Sequence, residues 1–341
     1  VKKQQSANPI AGEVSEIVRV LASAHSLYGK LPWKDLVMPA VQLAEKGIIL
    51  NKHLVTSLNR IVRTSPTHTE LQRIFGRKTW KLGDRLIQSD LAKTLRLIAN
   101  DGPDAFYKCR IADLLVKEMK RGGGLITKKD LALYQAVVRK PIHGTFRGFD
   151  VYGPPPPSSG GICLIEMLNI LENFDLKKQG RLSARTMHLM IEAMRRAYCD
   201  RARHLGDADF VKIPKHLTTK EYAKKLAKSI DLNRATPSEK LAPDISIKKE
   251  GESTTHFSII DKNGLAVSNT YTLEQSYGSR VVVRGAGFLL NNEMFDFNWN
   301  PGVTNQKGTI GTKPNRIQPG KRMLSSQTPT IVAKDGKVLL I

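Results

Sequence analysis

The apolar residues of this chain change period at Thr254, and that change limits the folds open to it. Upstream they recur every three or four residues. Leu36, Ala40, Leu43 and Ala44 mark an amphipathic helix, and Leu91, Leu95 and Ile98 mark another, with Ser89 or Asp90 as its expected cap. Ile111, Leu114, Leu115 and Met119 predict a further helix after Asp104, and Thr127 is placed to cap a short one over 128–134. From Thr254 the period is two. His256, Ser258 and Ile260 alternate with Phe257, Ile259 and Asp261, and the turn Asp261-Lys262-Asn263-Gly264 closes a hairpin onto 265–272. Strands are also expected at 281–283, 330–333 and 338–341, the last two joined by a turn at Lys334-Asp335-Gly336. Helices first and antiparallel strands afterwards predict an α+β chain.

Between these regions, Pro154 to Pro157 interrupt regular structure, because proline supplies no ladder donor. The glycines after Ser158 and Ser159 let a helix begin at close quarters, carrying Ile162, Leu164, Ile165, Leu168 and Leu171 toward a sheet. Met187, Met190, Ile191 and Met194 form a second stripe, read as core. The polar stretch 233–253, with two prolines and clustered charge, is expected to be an exposed loop.

Composition removes several function classes. The net charge of +23 permits an anionic partner, but the basic residues are dispersed and no aromatic-laced stripe accompanies them, so no nucleic-acid partner is expected. No apolar run approaches the roughly 18 residues of a membrane helix. Cys109, Cys163 and Cys199 have no metal-ligand spacing and are odd in number, so they read as small buried hydrophobes. Gly122-Gly123-Gly124 lacks the Lys-Ser/Thr of a phosphate loop and is a turn signal. No cofactor and no metal is called for. The chain opens at Val1 without an apolar leader, which leaves open a removed leader or a start inside a longer gene product.

The Thr254-Thr255 pair follows a charged stretch and enters a strand. Such pairs are mostly structural, threonine being a strand former. A threonine that becomes a chain terminus, however, carries its own base in the freed α-amino group, which can activate the hydroxyl for attack on a carbonyl.

The segments TTHFSIIDKNGLAVSNTYTLEQSYGS, GAGFLLNNEMFDF, NPGVTNQKGTIG and PGKRMLSSQTPTIVAKDGKVLLI follow in order, after LPWKDLVMPAVQLAEKGI, GPDAFYK, GGGLITKKDLALYQAVVRKPI, YGPPPPSSGGICLIEMLNILENFDL and MHLMIEAMRRAYCDRARHLGDADFV upstream. Together they resemble the γ-glutamyltransferase family of N-terminal nucleophile hydrolases over nearly the whole chain. The resemblance implies a four-layer αββα sandwich, a large-chain region over 1–253 and a β-rich small-chain region over 254–341. It implies self-cleavage between Ser253 and Thr254, Thr254 as nucleophile, and Thr272, eighteen residues on, as the hydroxyl bonded to it. Glu274, Glu293 and Asp296 match the positions that receive the donor's α-ammonium, and Ser325 and Ser326 those that hold its α-carboxylate. Many members carry Asn and Gln where this chain has Glu274 and Glu293, so this pocket is the more acidic.

The implied partners are a glutathione-like γ-glutamyl donor and an amino acid or peptide acceptor, with the two chains remaining associated after cleavage; the implied location is periplasmic or secreted. The family's carboxylate-binding Arg and its oxyanion-hole Gly-Gly are expected upstream of Val1 and just beyond Ile341. Arg280 stands where the family usually has a small residue, either crowding the pocket or supplying a substitute charge. Two other readings remain open here: a truncated, non-catalytic homologue, and an acylase acting on β-lactam side chains or poly-γ-glutamate.

Overall fold

The computed structural model describes residues 16–76, 79–241, 254–298 and 313–341. Their backbone contacts divide into two compact units, neither continuous in sequence.

The first unit takes its helices from the chain up to Val138. They are α1 (Glu16–Tyr28), α2 (Trp33–Lys46), α3 (Lys52–Thr64), α4 (Thr69–Phe75), α5 (Ser89–Asp101), α6 (Asp104–Lys108), α7 (Arg110–Gly122) and α8 (Lys128–Leu133), with a two-residue ladder of β1 (Ile48–Ile49) and β2 (Arg85–Leu86). One expectation is corrected. Neither Ser89 nor Asp90 caps α5: the N-cap is Gln88, which makes no side-chain cap bond, and the Asp90 carboxylate instead accepts from Arg73 at 2.5 Å. The helix expected after Asp104 to carry Ile111, Leu114, Leu115 and Met119 is α7, set off from the short α6 by the extended backbone of Cys109. Thr127 does cap α8, in a reciprocal box with Asp130.

Residues Thr272–Met294 complete this unit. Val283, Ala286 and Leu290 join Phe106, Tyr107, Ile111 and Leu115 in one core cluster, and Val282 joins Leu58, Leu71, Phe75 and Trp80 in another. The expected strand at 281–283 is reduced to a bridge between Val282 and Leu289, flanked by backbone bonds from the Val283 N–H to the Phe288 carbonyl and from the Leu290 N–H to the Val281 carbonyl, both at 2.9 Å.

The second unit is built on an antiparallel sheet of order β3-β4-β7-β8, with β3 at Ile142–Phe146, β4 at Phe149–Gly153, β7 at Ile331–Lys334 and β8 at Lys337–Leu340. The β7–β8 turn is Asp335-Gly336 with φ of 50° and 73°, the left-handed pair that matches the strand twist. Helix α9 (Gly160–Leu171) packs on β3 and β4. The approach is close: a Cβ on Gly153 would lie 2.7 Å from the Gly161 Cα. After α10 (Leu176–Gln179) come α11 (Ala184–His204), α12 (Lys220–Lys228) and α13 (Ser238–Leu241).

Here the methionine stripe is corrected. Met187, Met190, Ile191 and Met194 are 38–49% exposed, and α11 buries Leu189, Ala193 and Ala197 instead. The small side chains let α9 and α11 approach closely, which bulky methionines at those positions would prevent. The cysteine reading is also corrected in part, since Cys163 and Cys199 are buried but Cys109 is exposed.

Strands β5 (Thr254–Ile260) and β6 (Ala266–Thr272) form their own two-stranded sheet, with every residue of β5 exposed. The α+β class holds. Of the layers expected, the described residues form one helix-backed four-stranded sheet and this separate hairpin. Most of the loop expected over 233–253 lies outside the described residues, as does Ser253; its described start ends in the short α13.

Candidate functional site

The β5–β6 hairpin aligns the two candidate hydroxyls. The Asp261 N–H donates to the Leu265 carbonyl at 3.0 Å, and the His256 and Thr270 side chains bond at 2.7 Å. This register sets Thr254 opposite Thr272, and directly opposed residues of an antiparallel pair project on one face with Cβ atoms about 4.5–5.5 Å apart. The eighteen-residue spacing is therefore the arc of one hairpin. Thr254 is exposed and Thr272 half-buried. The Thr272 Oγ1 accepts from the Glu274 N–H at 2.8 Å, so its own proton is directed elsewhere.

Sequence reasoning missed His256, which shares this face: its Nε2 also meets the Ser258 Oγ at 3.0 Å. The alternation that set the strand period would have found it, since residues 254, 256 and 258 point the same way.

Beyond Thr272 the chain turns sharply. Glu274 has a φ of 70°, in the left-handed region where non-glycine residues are uncommon. The LLNN motif holds this turn: the Asn292 N–H donates to the Leu273 carbonyl at 3.2 Å, and its side-chain oxygen accepts from the Gln275 N–H at 3.2 Å. Thus the motif brings Glu293, which is 4% exposed, to Glu274, with carboxylate oxygens within 4.8 Å. Asp296 closes the 3-10 turn that begins at Glu293. Carboxylates at this spacing repel one another and attract a cation.

Gly278 has a φ of 50°, and a Cβ there would lie 2.1 Å from the Leu290 carbonyl. Arg280 also has a positive φ, 65°, and its Nη1 donates to the Thr64 carbonyl at 3.1 Å, at the C-terminus of α3. Of the two roles considered for Arg280, crowding the acids is not what its side chain does, because it is turned to that helix end.

Ser325 and Ser326 belong to the second unit. The PPPPSSGG run is the seat of that pair. The Ser159 N–H and hydroxyl both donate to the Ser325 carbonyl at 2.8 Å, the Ser325 N–H donates to the Pro157 carbonyl at 3.0 Å, and the Ser158 hydroxyl donates to the Gln327 carbonyl at 2.5 Å. The Arg201 Nε donates to the Ser159 hydroxyl at 2.9 Å. A Cβ on Gly160 would lie 2.3 Å from the Gln327 carbonyl, so the run is shaped to this contact. The PGKRMLSS stretch is tied from behind by Asp207, which accepts from the Arg322 N–H at 2.9 Å, and by Asn315, which accepts from the Leu324 N–H at 2.9 Å. Ser325 is half-buried and Ser326 exposed. The supports Ser158, Ser159 and Asp207 carry no sequence signal of such a role, since their partners are more than a hundred residues away.

Comparison with known proteins gives these residues a context. The family described as Gamma-glutamyltranspeptidase matches residues 2–341. The chain is similar to the glutathione hydrolase proenzyme of Escherichia coli (strain K12), with 49% identity over 318 residues, 92% of this chain and 55% of that protein. It is 35% identical to the Acylase ACY 1 proenzyme of Pseudomonas sp. (strain SE83), over 91% of this chain and 54% of that protein. Among solved structures, the γ-glutamyltranspeptidase of Helicobacter pylori aligns with a TM-score of 0.64 and 38% identity, covering 69% of each chain. The chain thus spans little more than half the length of the curated relatives it matches.

Proposed function

The chain belongs to the gamma-glutamyltranspeptidase family, and we propose that it carries the nucleophile half of a γ-glutamyl transfer site. In this reading Thr254 attacks the carbonyl of residue 253, the resulting ester hydrolyses, and two associated chains result. The freed α-amine of Thr254 then takes the hydroxyl proton as Thr254 attacks the γ-amide of a glutathione-like donor. The donor amine leaves with that proton, and the acyl-enzyme passes to water or to an amino acid or peptide. Thr272 orients the nucleophile, Glu274, Glu293 and Asp296 receive the α-ammonium, and Ser325 and Ser326 donate to the α-carboxylate. A periplasmic or secreted location belongs to the same proposal.

The observation that carries this reading is the opposition of Thr254 and Thr272 across the ends of one hairpin, with the Glu274 amide bonded to the Thr272 hydroxyl. The acylase reading has the support of a 35% identical relative bearing that name and the same threonine chemistry. The buried acid beside Glu274 favours an amino-acid donor, because an acyl side chain without an ammonium gives two carboxylates nothing to bind.

Intact mass measurement of the purified protein beside a Thr254→Ala variant tests the proposal. The expected result is two fragments meeting at Ser253-Thr254 in the wild type alone, with release of the amine from a γ-glutamyl anilide. An uncut, inactive wild type rejects it, and turnover of a β-lactam side-chain amide in place of the anilide selects the acylase reading.

A further inference from the structure

A second cavity adjoins the turn that carries Glu274. It has a volume of about 280 Å³ and lies between the C-terminal half of α3, which contributes Ser57 and Arg60, and the loop Gln275, Ser276, Tyr277 and Arg280. Among the described residues its lining holds two guanidinium groups, hydroxyls and an amide, and no carboxylate.

The walls are fixed in place. The Tyr277 hydroxyl donates to the Ser57 Oγ at 3.0 Å, joining loop to helix, and Arg280 is anchored through Nη1 on the Thr64 carbonyl and, at 3.3 Å, the Ser65 hydroxyl. The positive φ of Gly278 and Arg280 reverses the loop so that it faces α3. Anchoring through one nitrogen leaves the other edge of the Arg280 fork for an anion, and a planar guanidinium suits a carboxylate. The charge of Arg280 is felt locally: burial, and then this guanidinium, hold the His68 imidazole below its usual range.

Position supplies the ligand. Gln275 is three peptide steps from Thr272, so their Cα atoms are at most about 11 Å apart. A dipeptide spans roughly 7 Å from its amino nitrogen to its terminal carboxylate. The loop therefore lies close to the nucleophile face, at a distance of the same order as the length of a dipeptide.

We propose that the cavity between α3 and the 275–280 loop binds the carboxylate of the molecule on the amine side of the γ-glutamyl bond, whether the donor's leaving peptide or the acceptor amino acid or peptide. This assignment rests on the proposed γ-glutamyl transfer. It gives Arg60 and Arg280 a role separate from the one proposed for Ser325 and Ser326, which is the carboxylate of the glutamyl group.

Calorimetric titration in the Thr254→Ala background separates the two ideas, since it needs neither cleavage nor turnover. Glutathione is expected to bind about tenfold tighter than its C-terminal amide, the loss of one charge-assisted hydrogen bond. Arg60→Ala brings that ratio toward one, and Arg60→Lys restores part of it. Equal binding of acid and amide, an unchanged ratio in Arg60→Ala, or no binding of either overturns the assignment. Failure of the transfer reading shows elsewhere, as a wild type that neither cleaves nor turns over an anilide. In the active protein, a KM preference for glutathione over its amide assigns the pocket to the leaving peptide. A KM preference for glycylglycine over its amide assigns it to the acceptor.

Discussion

At the scale of single residues, the candidate site depends on backbone conformations that side chains normally avoid. The left-handed angles of Glu274 cost of order 1–2 kcal/mol relative to ordinary backbone, and the Asn292 bonds to residues 273 and 275 hold the chain there. The Glu274 carboxylate is thereby kept beside Glu293, where mutual repulsion makes a bound ammonium favourable. Replacing Glu274 by Gln is expected to raise KM for an α-amino γ-glutamyl donor about tenfold, equivalent to about 1.4 kcal/mol. Steady-state kinetics with donors bearing and lacking the α-amine checks this; an equal loss for both assigns Glu274 to the turn alone. Gly278 is a plainer case. Alanine there meets the Leu290 carbonyl at 2.1 Å and also strains φ, so Gly278→Ala should destabilise by more than about 2 kcal/mol, read as a lower urea midpoint.

At the scale of elements, what the sequence revealed and what it concealed divide by the range of the interaction. The capping box at Thr127, the 261–264 turn and the Asp335-Gly336 turn are local, and each was legible because the residues involved lie within five positions of one another. Thr127→Ala should accordingly cost about 1 kcal/mol, visible as a small fall in thermal midpoint, and Thr127→Ser should restore it. Long-range effects were hidden. Asp90 looked like a cap but is held by Arg73, seventeen residues away, and the methionines of α11 looked like core. Hydropathy favoured the bulky stripe, whereas close packing of helices selected Leu189, Ala193 and Ala197. The candidate threonines and acids came from the resemblance to the family, and the opposition of Thr254 and Thr272 follows from the hairpin that the strand period and the 261–264 turn made legible. The seat of Ser325, built from residues 157–159 and Arg201, was not, because pairs 166 and 42 residues apart leave no periodic trace.

At the scale of the whole molecule, buried charge sets how stability follows pH. In the second unit Glu192, 1% exposed, is disfavoured by burial, but bonds from Thr236 and Arg196 outweigh this and bring its carboxyl down to about 2. Its contribution is therefore present above about pH 4.5 and lost as pH falls toward 2. Glu166 on α9 has the opposite sign. It is 1% exposed, and burial, then the nearby Asp200 carboxylate, push it up to about 9. Asp200 itself accepts from the Tyr222 hydroxyl at 2.7 Å and has the His204 ring 4.0 Å away. Between pH 4.5 and about 9 the folded protein keeps a Glu166 proton that the unfolded chain has released, so stability must fall as pH rises through that window. Glu166→Gln retains the shape of the side chain and removes this linkage. The variant should match the wild type near pH 5 and exceed it by a margin that widens steadily toward pH 8.5, measured by urea unfolding at several pH values with unchanged m. A difference that stays constant across pH would show that Glu166 is ionised in the folded protein, and that an unseen partner pays for its burial.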